Sequence, residues 1–201
     1  MKIKKELKEF KKFKKIYNFN FKKIFKIGDD YYVDDILIQT KDEIISESEK
    51  WINVGYKLKG SYPKLLSNLF PYEFKFKGKK LSSIESFFQG IKFKDKNIQN
   101  KIFKFKGIDA VNIRMASNYN WRETKKIYWQ GKEIDRESQE YSDLIDELYI
   151  SAIQNPLYRN VLTKCTKDII HTIGDEKTCE TVFTRYEFEF QLNCLKDFLK
   201  K

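Results

Sequence analysis

The sequence predicts an α+β fold, a mostly helical single domain with a small antiparallel sheet. Three observations lead there. Runs rich in β-branched and aromatic residues fall before residue 82, helical periodicity dominates from residue 83 onward, and no strand–helix alternation suggests a doubly wound sheet. The 201 residues, 41% hydrophobic and 16% aromatic, hold enough core material for one domain despite 34% charged residues.

The first element is a basic amphipathic arm over residues 1–30. It carries eleven lysines against Glu6, Glu9, Asp29 and Asp30, out of a formal net charge of +11 for the chain. Ile3, Leu7, Phe10, Phe13 and Ile16 recur at three- and four-residue spacing, so this stripe is expected to pack on the body, residues 31–201. A phosphate backbone or a membrane surface is the other setting for such a helix.

Tyr31 to Gln39 reads as a strand, and Tyr72 to Leu81 as a hairpin turning at Lys77-Gly78. Helices follow over 83–93, 97–105, 108–116, 138–154, 156–164 and 185–199. Ser82 is a suitable cap for the first, and Asn155-Pro156 places proline at the first position of another. No repeat, glycine/serine linker or glycine-rich phosphate loop interrupts this order, so any bound phosphate must be held by lysines, arginines or helix N-termini.

Composition excludes several classes. No stretch approaches the roughly 18 apolar residues of a membrane span, and the lysine-rich start lacks an apolar leader, so the expectation is a cytoplasmic chain without a membrane partner. Cys165, Cys179 and Cys194 form no CxxC pair, and His171 is the sole histidine, which leaves no metal-ligand set and no cofactor expected. A GxSxG elbow is missing too. The positive charge favours nucleic acid and nucleotide phosphates as partners, although a lysine excess alongside much Ile, Asn, Phe and Tyr also follows from AT-rich coding. The oligomeric state is not readable.

The most informative segment is SSIESFFQGIKFKD at 82–95. At 100° per residue Glu85, Gln89 and Lys92 fall within about 60° of one another, beside an apolar face of Ile84, Phe87, Phe88 and Ile91. Such a row suits acid/base work, because burial along its apolar margin shifts carboxyl and amine toward neutrality. A solvated Glu/Lys face has the same spacing.

SNLFPYEF at 67–74, the Lys77-Gly78-Lys79 turn and IESFFQGIKF at 84–93 together resemble the NADAR (YbiA-like) family of N-glycosidases. Arg114-Met115 sits where that family has an Arg-Met-Gly-Arg segment, with Ala116 in place of its glycine. Residues 128–162 are similar to its long helical stretch, and 168–188 to a branch with a histidine before the last helix. The resemblance spans Leu65 to Lys196, and the first 60 residues have no counterpart in it.

The resemblance implies a YbiA-like fold and hydrolysis of a ribosyl–base C–N bond. The substrate would be an ADP-ribosylated nucleotide or nucleic acid, above all ADP-ribose on guanine; the basic arm, by its charge rather than by the resemblance, would contact DNA. A phosphoribosylated riboflavin intermediate is the second substrate it implies, and a non-catalytic ADP-ribose or NAD binding module a third function. Glu85 would act on the oxocarbenium-like ribose. Lys92 would bind phosphate or ribose, or attack the opened sugar as a Schiff-base amine. Asn68 would orient ribose or base, Gln89 would join the polar row, and Arg114 would clamp phosphate. Trp129 would stack on the base, in competition with Trp121, and His171 would contact the ligand. Glu187 is expected to cap the last helix, lining the pocket being its other setting.

Overall fold

A computed structural model of the chain describes residues 2–115 and 121–201, with 113–115 described by their backbone alone. It is an α+β fold in which small two- and three-stranded sheets surround a helical core.

The chain opens with α1 (Lys2–Ile16), which buries Phe10 completely and sets Ile3, Leu7 and Phe13 against the core. An antiparallel meander follows, β1 (Ile24–Ile27), β2 (Asp30–Val33) and β3 (Ile36–Gln39). The single strand expected over 31–39 is therefore two. Asp34 and Asp35 adopt φ of 48° and 62°, the left-handed pair that a tight hairpin turn demands and that aspartate tolerates better than most residues. The meander begins before residue 30, within the stretch that reads as arm.

A second departure is β4 (Trp51–Asn53), which pairs in parallel with β9 (Asp168–Ile170). The free edge of β9 is covered by side chains: Asn193 exchanges hydrogen bonds with Ile169 at 3.0 and 2.8 Å, and Glu189 Oε1 accepts from the His171 N–H at 2.8 Å. A buried edge strand thus leaves no backbone group unpaired at these positions.

Between these strands lie α2 (Ser61–Leu65), the hairpin β5 (Phe74–Phe76) and β6 (Lys79–Leu81), and α3 (Ile84–Gly90), capped by Ser83 rather than Ser82. Next come α4 (Lys96–Ile102), α5 (Gly107–Met115) and α6 (Trp121–Thr124). The segment 126–135 forms a second hairpin, β7 (Lys126–Trp129) and β8 (Lys132–Asp135), instead of extending a helical stretch. Gln130 and Gly131 hold its turn at positive φ. The chain then builds α7 (Gln139–Ala152), α8 (Pro156–Lys164) and α9 (Arg185–Phe198).

The core is one aromatic-rich cluster in which α3 buries nearly all of its length and α7 nine of its fourteen residues. A smaller cluster of Val33, Ile38, Trp51 and Ile170 fastens the meander to the β4–β9 pair. No described helix is long and apolar enough to cross a membrane.

Candidate active site

The N-terminus of α3 is fixed twice. Ser83 accepts from the Ser86 N–H at 3.0 Å, and the Glu85 N–H, which no residue of its own helix can satisfy, donates to the Asn68 carbonyl at 2.9 Å. The 67–69 turn is thereby held against the first turn of α3, and Asn68 and Glu85 both line a cleft of about 250 Å³.

Along α3, Gln89 donates through Nε2 to Glu85 Oε1, and accepts through Oε1 from Lys92 Nζ at 2.9 Å. The helix ends at Gly90, but Ile91 keeps helical angles (φ −65°, ψ −10°), so Lys92 stays beside the row although it lies beyond the helix. Gln89 and Lys92 are buried, Glu85 is half-buried, and Lys92 Nζ stands 5.5 Å over the Trp121 ring. The ammonium fixes which way the Gln89 amide faces, and the amide then presents its N–H to the carboxylate. A charge-assisted chain of this kind holds the carboxylate in one orientation at the cleft.

Asn68 Oδ1 accepts from the Tyr149 hydroxyl at 2.8 Å. Burial pushes that phenol well above its ordinary value, so it remains a donor. The Asn68 amide nitrogen has no partner among the described residues and is the donor this side chain offers to the cleft.

His171 lines the same cleft. Its Nδ1 is 2.7 Å from the Val54 carbonyl, which can only accept, so Nδ1 carries the proton. Burial, aided by Arg185, lowers the imidazole's affinity for a second proton. In this neutral ring Nε2 is an acceptor, and no described residue donates to it. Gly174 makes room for the ring, since a Cβ there would lie 2.5 Å from His171 Cδ2. Apolar lining comes from Phe88 and Phe183, stacked at 4.8 Å, and from Phe188, whose ring is 4.7 Å from the imidazole.

The structure therefore gathers Asn68, Glu85, Gln89, Lys92 and His171 around one cleft. Trp129 stands elsewhere: its ring lies 4.9 Å from Phe76, 5.8 Å from Phe87 and 5.6 Å from Phe103, because its position in β7 turns it into the core. It does not line the cleft, whereas Trp121 meets Lys92. The Arg114 side chain lies outside the described residues. Glu187, in the first turn of α9, completes a capping box with Thr184, the capping role expected of it. Among the described residues no group of three or more His, Cys, Asp or Glu side chains is arranged to hold a metal ion.

Sequence reasoning missed the carboxylates of Asp175 and Glu180, both in the lining, and the Val54 carbonyl that sets the histidine tautomer. It also missed the buried Tyr149 behind Asn68. None carries a local signal, since each reaches the cleft through long-range pairing or through a helix read only as core.

An α+β domain with this cleft has a family. Residues 61–197 match the family model of bacteriophage protein GP30.3, and the chain belongs to that family. It is similar to an uncharacterized 17.1 kDa protein of the Gp30–rIII intergenic region of Enterobacteria phage T4, 30% identical over 137 residues, which cover 67% of this chain and 90% of the relative. No solved structure matches significantly. The matched region holds all five cleft residues anticipated from the sequence, but begins after Val54, Gly55 and Tyr56, which also line the cleft.

Proposed function

We propose that the cleft hydrolyses a ribosyl–base N-glycosidic bond, as the resemblance of 67–93 to the NADAR family suggests, and that its substrate is ADP-ribose attached to guanine in nucleic acid. The observation that carries this reading is the Lys92–Gln89–Glu85 hydrogen-bonded row, which sets an oriented carboxylate in a cleft that also offers an amide donor and a neutral imidazole acceptor.

Water adds to the anomeric carbon, the C–N bond breaks, and the base leaves with a proton on its nitrogen. The ribose gains positive charge on the way, and a fixed carboxylate stabilises that charge without reorganising at the moment of reaction. In this reading Glu85 faces the anomeric carbon and takes the proton of the attacking water. Gln89 orients Glu85. Lys92 holds Gln89 and balances the charge of the row, an electrostatic task rather than a Schiff-base one. His171 Nε2 accepts from a ribose hydroxyl, Asn68 donates from its amide nitrogen, and the Phe88–Phe183 pair meets the flat base.

At about 250 Å³ the cleft falls just below the usual range of small-molecule pockets. It suits the reacting ribose and one adjoining ring, which leaves the pyrophosphate, the distal adenosine and the polymer outside. The test is incubation with a duplex bearing ADP-ribosyl-guanine, followed by chromatography. Free ADP-ribose and restored guanine are expected, and binding without release would reduce the cleft to a reader of the modification.

A further inference from the structure

We propose that the outer face of α1 is a binding surface for a nucleic-acid phosphate backbone. Lys4, Lys8, Lys12 and Lys15 are exposed and have no ion pair among the described residues. With Lys11 they line a groove of about 670 Å³, in which Asp143 is the single acid and is already bridged to Lys11 at 2.6 Å. Steps of three and four residues stack these side chains along one side of the helix, over about 16 Å from Lys4 to Lys15 at 1.5 Å per residue. Like charges at such spacing oppose helix formation, and a polyanion laid along them relieves that repulsion.

The other side of α1 determines which polyanion. An amphipathic helix binds lipid through its apolar face, but here that face is consumed by the domain. Phe10 is fully buried and meets Phe198 edge-on at 5.4 Å, and Phe13 lies 5.9 Å from the same ring. Polar ties lock this docking: Lys14 reaches Asp146 at 2.5 Å and Gln191 at 3.0 Å, while Glu6 meets Arg159 at 2.7 Å and Gln154 at 2.8 Å. Of the apolar residues of α1 only Ile16, at its last position, is exposed, which is too little to seat the helix in a bilayer, so the lysines act as a rigid row of charges, the arrangement that a regular phosphodiester chain complements. The helix precedes residues 61–197, so this surface is carried outside the region that defines the family.

The inference deepens the proposed function by naming the polymer that carries the base, and it is tested by binding alone. The full chain and its Lys4→Gln/Lys8→Gln/Lys12→Gln/Lys15→Gln variant are titrated into a labelled, unmodified 20-base-pair duplex at 50 to 200 mM salt. Four phosphate contacts predict a loss of roughly 10²-fold in wild-type affinity over that range, and a logarithmic salt slope flattened by about 3.6 in the variant. All four side chains are exposed and their mutual repulsion is relieved in the variant, so the thermal midpoint is expected to hold or rise and to show that folding is intact. An equal slope in both proteins would overturn the proposal, as would binding to phosphatidylserine vesicles without binding to the duplex. Glycosidase failure with the slope change intact would refute only the reaction.

Discussion

Replacing Glu85 by glutamine tests the reaction at its centre. Glutamine keeps the length of the side chain and an oxygen that can still accept from Gln89 Nε2, so the Lys92–Gln89 half of the row stays in place and the cleft keeps its shape. Only the negative charge is lost. If that charge balances an oxocarbenium-like ribose and draws a proton from water, turnover falls by roughly 10² to 10⁴, about 3 to 5 kcal/mol at 1.36 kcal/mol per tenfold. Binding is expected to persist, because Asn68, His171 and the phenylalanine faces are untouched. Single-turnover release of ADP-ribose, measured beside equilibrium binding of the same oligonucleotide, separates the two effects. Asp175 and Glu180 also line the cleft and supply the control. Near-wild-type turnover by Glu85→Gln, with the loss appearing in Asp175→Asn or Glu180→Gln, would refute the assignment of the carboxylate.

Two further predictions concern the acid–base groups behind the cleft. The sole histidine gives an unambiguous signal, so long-range ¹⁵N–¹H correlation at pH 7 is expected to show a neutral His171 protonated at Nδ1, with a shift at Nε2 when ligand binds; a proton on Nε2 would contradict the Val54 contact. Burial pushes the Glu189 carboxyl from 4.5 up to about 7, so the folded protein holds a proton that the unfolded chain releases, and this contribution to stability is lost as pH rises between those values. Glu189→Gln is expected to remove that loss, gaining about 2.5 kcal/mol on the wild type between pH 5 and pH 8, or roughly 5 to 10 °C in Tm. His171 acts in the opposite sense, since its lowered pKa costs stability as pH falls below 6.5. Parallel pH profiles of the two proteins would contradict the buried, protonated carboxyl.

The elements most legible in the sequence are those whose boundaries are set by local chemistry. Asn155-Pro156 starts α8 where its cap and its fixed φ require, and Thr184 with Glu187 starts α9. The Glu85, Gln89 and Lys92 spacing survives for the same reason, since one turn of backbone sets it even where the helix stops early. The two hairpins were harder to read. Asp34-Asp35 and Gln130-Gly131 lack the Asn-Gly signature, and the first pair sits inside an apolar run that outweighs the turn. Trp129 shows the limit of reading an aromatic in a motif: its strand register, not its neighbours in sequence, decides whether its ring meets ligand or core. The β4–β9 pairing joins residues more than a hundred positions apart, and no local pattern announces it.

That pairing also links the cleft to the residues that precede the family match. Because β4 runs parallel to β9, the chain leaving Asn53 and the chain leaving Ile170 emerge side by side. Asn53 then stitches the two exits, donating to the Thr172 hydroxyl at 2.7 Å and accepting from the Thr172 N–H at 3.1 Å. One residue further, the Val54 carbonyl meets His171 and the Val54 N–H donates to the Ile170 carbonyl at 2.8 Å. The Nε2 acceptor of His171 at the cleft therefore depends on residues upstream of 61, while the carboxylate row of α3 does not. In a relative that lacks a strand equivalent to β4 the histidine would lose the group that fixes its tautomer, yet the glutamate would keep its orientation. The orientation of the carboxylate and the tautomer of the histidine thus rest on separable pieces of the chain, and the piece that sets the tautomer is the one that also carries the lysine row of α1.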